Sequence, residues 1–301
     1  MKYLILSLLC LIGLFLTPAT SMAQTASEST GIASDTTEVD SSTNRNKYEV
    51  EHTPDYQTEK QALLKTFKSQ IINYQIAYKQ FVLAKKQYDK LETIESLNGA
   101  IEATRQVVLK RNEVISTYIE ILHLELIQRQ PSLDPALRGQ TIKETEALLD
   151  RLAKFHQEVE SVVSRKDLYQ VLVNYKTLFQ QVQYLSYKSR LILKADALHR
   201  LNLELKDLKQ AVVDQEPLIT GGDKFKAIKF QRGIDEINKE LTKQDLSFQK
   251  LKSDYLSKDK TTADWFKQAN KELTKAYLAG LRASNYLLEL LEPVKPTDIN
   301  Y

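Results

Sequence analysis

Between Lys166 and Val213 the chain has neither Pro nor Gly, and apolar residues return every three or four positions: Leu168, Leu172, Tyr175, Phe179, Val182 and Leu185, then Leu198, Leu201, Leu205, Leu208 and Val212. That period predicts an α-helix with an apolar stripe turned toward a neighbour. At about 1.5 Å per residue it would reach about 70 Å, longer than a compact domain is wide, so other long helices must run beside it. The expectation is an all-α fold, an elongated antiparallel bundle of about six helices.

The flanking segments repeat the pattern. A first helix is expected after Pro54-Asp55 to about Leu91, with Phe67, Ile71, Tyr74, Tyr78, Phe81 and Tyr88 on one stripe. Thr93 to Gly99 supplies a turn, with Ser96 or Asn98 as cap, and a second helix follows from about Leu97 to Arg129. Its register, set by Ile115, Tyr118 and Leu122, turns Glu120 and His123 outward. Pro131 to Pro135 ends it. Asp134 offers a cap, Gly139 an interruption, and Thr141-x-x-Glu144 a capping box that opens a third helix to about Val163. Ser164-x-x-Asp167 predicts a break before the long helix, with one continuous helix from Thr141 to Val213 as the alternative.

Glu216-Pro217 and Gly221-Gly222 stop the long helix, and Asp223 caps a fifth. Its seam is Phe230, Ile234, Ile237, Leu241, Phe248, Leu251 and Tyr255, with Gln244 the one polar member. Thr261-x-x-Asp264 opens a sixth helix, whose seam includes Ala269, Ala276, Gly280 and Ala283 and ends before Pro293. Such small residues let a neighbouring backbone come close, which predicts a tight hairpin of the last two helices. Leu178, Leu191, Ile192 and Leu193 are left over on a second face of the long helix, to be covered within the chain or by self-association.

The N-terminus reads differently. Residues 1–23 have the form of a secretory signal: Lys2, an apolar run from Tyr3 to Leu16, then Ser21-Met22-Ala23 as a small-x-small cleavage site, with an uncleaved signal anchor as the alternative. Residues 24–55 form a Ser/Thr-rich linker with seven acids, two bases and almost no large apolar residue, a composition that favours disorder. The bundle is expected over 56–292 and a short tail over 293–301. Removing signal and linker leaves the body at about +7, so an acidic linker precedes a basic bundle. No transmembrane segment is expected after signal cleavage, and the protein is expected to be periplasmic, at the cell surface or extracellular.

Chemistry is sparse. Cys10, inside the signal, is the only cysteine, so the exported chain would have no disulfide, thiolate metal site or cysteine nucleophile. Helical bundles can hold two metals through Glu-x-x-His pairs, but Glu120-x-x-His123 and Asp196-x-x-His199 both fall on outward faces in the registers above. No phosphate-loop, dinucleotide or nucleophile-elbow motif occurs. No enzyme, cofactor, metal or catalytic residue is therefore expected, and a metal-dependent bundle enzyme is the least favoured reading. One cluster stands out. Lys224, Lys226, Lys229 and Arg232 crowd the first turns of the fifth helix, against its dipole and beside Phe225 and Phe230. They could dock an anionic envelope polymer or lipid headgroup, with nucleic acid not expected; otherwise they form a solvated face, with Phe225 stapling the turn.

Tyr78-x-x-Phe81-x-x-Ala84-Lys85, Leu91-Glu92-Thr93, Ala100-Ile101-Glu102-Ala103-Thr104 and Lys110-Arg111-Asn112-Glu113-Val114 together resemble a group of uncharacterised secreted helical proteins of bacteria. The resemblance covers Tyr74 to Leu122. It implies an exported helical bundle and transfers no site residue. The expected role is a spacer or protein-interaction scaffold of the cell envelope, with a protein partner or a second copy as the binding species.

Overall fold

In a computed structural model the chain divides into two units, residues 1–47 and 48–301. The residues described are 54–128, 132–256 and 262–291, all within the second unit. The expected signal, most of the linker and the C-terminal tail lie outside them. Among the described residues there are seven α-helices and no strand: α1 (Pro54–Leu91), α2 (Ile94–Gln128), α3 (Pro135–Glu160), α4 (Arg165–Asp214), α5 (Glu216–Thr220), α6 (Lys224–Leu251) and α7 (Ala263–Leu291). The fold is an all-α helical bundle.

The 50-residue α4 is its shared element. The first half of α4 packs against α2 and α3, where Phe155 stacks on Tyr175 at 5.0 Å and Lys188 pairs with Glu144 at 2.8 Å. Its second half packs against α6 and α7, where Lys206 bonds Asp245 at 2.9 Å and Lys194 reaches Asn270 at 2.9 Å. Two three-helix groups thus lie end to end along one rod, and α1 flanks the first group against α2. Leu191, Ile192 and Leu193, left over in the sequence pattern, are buried where the two groups meet, so the chain covers them itself. Leu208, expected on the seam, is exposed instead.

Local chemistry sets the boundaries. Ser164 caps α4 through a reciprocal capping box with Asp167, so α3 and α4 are separate helices. α3 starts at Pro135, earlier than the Thr141 expected, because Asp134 accepts from the Leu137 N–H and Pro135 needs no donor at the first position. Gly139 does not interrupt it, and the Thr141 hydroxyl donates to the Leu137 carbonyl at 2.8 Å. α1 and α2 join through Glu92 and Thr93 alone. The cap is Thr93, whose hydroxyl accepts from the Ser96 N–H, and neither Ser96 nor Asn98 fills that role. Short α5 follows α4 and closes on Gly221 and Gly222, both at positive φ, 59° and 77°. That backbone suits residues without a Cβ.

The α6–α7 hairpin is as close as its small residues predict. A Cβ on Gly280 would lie 2.9 Å from the Gln244 amide nitrogen, and Gln244 itself is fully buried. Ala269, Ala276, Ala279 and Ala283 fill the rest of that seam.

Candidate functional site

The basic cluster sits where α4 ends and the chain turns back. Asp223 caps α6, accepting from the Phe225 and Lys226 N–H groups at 2.8 and 3.3 Å, so the next residues fan outward from the first turn. Phe230 enters the core with Ile234 and Ile237. Lys224, Ile228 and Arg232, spaced four apart, line one outward row, with Phe225 and Lys229 on the row beside it. Lys226 stands closer to the core-facing side. All four bases are exposed, and none has an ion-pair partner among the described residues. Four cations at a helix N-terminus repel each other and oppose the dipole.

Phe225 does not staple the turn, as one reading of the sequence required. It is 77% exposed. Ile228 is 69% exposed, and Leu218 on the adjoining α5 is 80% exposed. Leu218 and Ile228 carried no sequence signal as surface groups, since apolar residues in a helical pattern read as core. What the start of α6 displays is therefore two large apolar side chains, Phe225 and Ile228, among four exposed cations, with Leu218 exposed on the short helix before it. A grouping of this kind attracts a polyanion or a headgroup layer through charge and gains from covering apolar area.

The two Glu-x-x-His-like pairs are placed differently from the outward positions expected. α2 has neighbours on three sides, α1, α3 and α4, so it has little outward face. Glu120 is half-buried, and burial pushes its carboxyl above the ordinary range. His123 Nδ1 lies 3.0 Å from the Thr145 hydroxyl on α3, with Glu146 3.7 Å from its Nε2. Asp196 is 3% exposed and accepts from the Leu133 N–H at 2.7 Å and the Ser132 hydroxyl at 3.1 Å, tying α4 to the α2–α3 connection. His199 packs its edge on Phe248. Burial and then the nearby Lys206 hold its imidazole below the usual value, with Asp245 opposing them. The four do not converge. Among the described residues no group of three or more His, Cys, Asp or Glu side chains is arranged to hold a metal ion.

Elsewhere the buried polar groups belong to packing. The Asn112 amide donates to the Leu152 carbonyl at 3.0 Å, locking α2 to α3. Among the described residues the Tyr175 hydroxyl has no hydrogen-bond partner, and burial pushes its pKa up to about 12. Trp265 packs edge-on to Tyr255 at the end of the last hairpin where α6 connects to α7. No helix among the described residues is long and apolar enough to cross a membrane. The chain matches no protein-family model, no curated protein and no solved structure.

Proposed function

We propose that this protein is an exported, non-enzymatic helical scaffold that works as a spacer or interaction module in the cell envelope or at the cell surface. The observation that carries the reading is α4: one uninterrupted 50-residue helix, about 75 Å long, to which two helical groups are fastened in series. Such a rod transmits distance and orientation. Its polar side chains are spent on fastening, as in Lys188–Glu144, Asp196–Leu133 and Lys206–Asp245. Export is tested by fractionating cells that make the chain and sequencing the N-terminus of the recovered protein. A product in the envelope or medium beginning at Gln24 is expected, and an intact chain retained in the cytoplasm would overturn the reading.

A second reading is favoured by the start of α6. There the exposed Leu218, Phe225 and Ile228 among Lys224, Lys226, Lys229 and Arg232 support docking of an anionic envelope polymer or lipid headgroup. Binding to purified anionic wall polymer should weaken steeply with added salt. It should also be lost when the four bases are replaced by Gln. Binding that survives that replacement would place the contact elsewhere.

A further inference from the structure

α1 presents a face that no described residue covers. Its inner side meets α2, with Phe67 against Tyr118 at 6.1 Å and Lys60 paired to Glu125. On the opposite side Ile72, Ile76 and Leu83 are all exposed, at intervals of four and seven residues that keep them on one stripe. With 3.6 residues per turn, Lys65, Lys68, Lys79, Lys86 and Lys90 fall in the same sector. All five are exposed, and none has an ion-pair partner among the described residues. The acids of α1, Asp55, Glu59 and Asp89, all fall outside the sector.

The far end of this face has no third helix behind it. Arg105 on α2 donates to the Glu160 carbonyl at the end of α3, so the α1–α2 hairpin runs on past the point where α3 stops. From Tyr78 to Gln106 no residue is buried. The outer face of α1 is thus an aliphatic stripe, flanked by lysines and free of acid, on a protruding edge.

We propose that this face docks onto an anionic lipid surface. The lysines supply attraction to the headgroups, and their methylene stems let the ammonium groups reach upward while Ile72, Ile76 and Leu83 enter the acyl boundary. A second copy is a poor occupant, because an isologous contact would set the same lysines against each other. The contact is distinct from the start of α6, which lies at the opposite end of α4, and does not depend on the reading of that cluster.

The test uses the full chain with Cys10→Ser and an environment-sensitive fluorophore on a single new cysteine, Ile76→Cys. The readout is local to α1, so binding through residues 1–23 does not imitate it. On adding vesicles of phosphatidylglycerol mixed with phosphatidylcholine, the label should shift to shorter wavelength. It should not shift with phosphatidylcholine alone, and the same label at Asn73→Cys, on another side of α1, should respond weakly. Replacing the five lysines by Gln should raise the lipid concentration needed for half the shift by at least about tenfold, with an unchanged circular dichroism melt as the folding control. No shift with the anionic vesicles, an equal shift with neutral ones, or a shift that follows protein concentration without lipid would each overturn the proposal.

Discussion

Both groups fastened along α4 meet it through rings, Phe155 on Tyr175 in the first and Tyr187 on Phe266 at 4.9 Å in the second, but they differ in what lies between their remaining helices. In the first, large rings fill the space between helices: Phe155 and Tyr175 stack, Phe179 lies 6.0 Å from Tyr175, and the Arg111 guanidinium covers both Tyr175 and Phe179 at 5.4 and 4.7 Å. In the second, small residues remove the space, with Ala269, Ala276, Ala279, Gly280 and Ala283 against the α6 seam. Rings hold helices apart while still burying large area, so the first group can accommodate α2 between three neighbours. Alanines and glycine draw two backbones together, which makes a narrow, registered hairpin. One long helix can serve both because its own residues change along its length, aromatic near Tyr175 and Phe179, aliphatic near Leu205 and Val212.

The two halves should therefore fail under opposite changes of volume. Phe155→Ala empties the ring-filled group and is expected to cost about 3–5 kcal/mol in urea unfolding. Ala283→Leu, which forces a large side chain into the narrow hairpin, should cost about 1–3 kcal/mol. If Ala283→Leu proves neutral, the hairpin is looser than described and the contrast fails.

The smallest effect sharpens the electrostatic side of the same hairpin. Glu272 is buried between Lys275 at 2.8 Å and Lys250 at 3.3 Å. Burial works against its charge, but hydrogen bonds from Lys275 and then Lys250, with their charges, outweigh it and hold the carboxyl below the ordinary range. A carboxyl lowered in the folded state contributes above its unfolded pKa of about 4.3, and the contribution is lost as pH falls through the folded value. Glu272→Gln should therefore destabilise by about 1 kcal/mol at neutral pH, and the difference from the parent should vanish in acid. A difference independent of pH would mean that shape, not charge, is at work.

Much of this could be read along the chain, and the misreadings share a cause. The α6 seam, the small residues of α7 and the Ser164–Asp167 break are short-range patterns, each complete within a few turns of helix. The sequence pattern places Glu120, His123 and Asp196 toward solvent because a single apolar stripe marks the buried face only of a helix with one neighbour. α2 has three, and the waist of α4 touches the α2–α3 connection as well as both groups. Likewise, the four bases of α6 were legible as a cluster, but the exposure of Leu218, Phe225 and Ile228 was not, since nothing local distinguishes an apolar residue that finds a partner from one that does not.

Helical periodicity, caps, and the placement of Gly and Pro determined by themselves that this chain forms long helices, where most of those begin and end, and that the last two form a tight hairpin, because those preferences are settled within a turn or two of backbone. Only the tertiary structure decided how many neighbours each helix has. That number fixes which polar groups are buried and which apolar faces, the outer side of α1 above all, are left without cover.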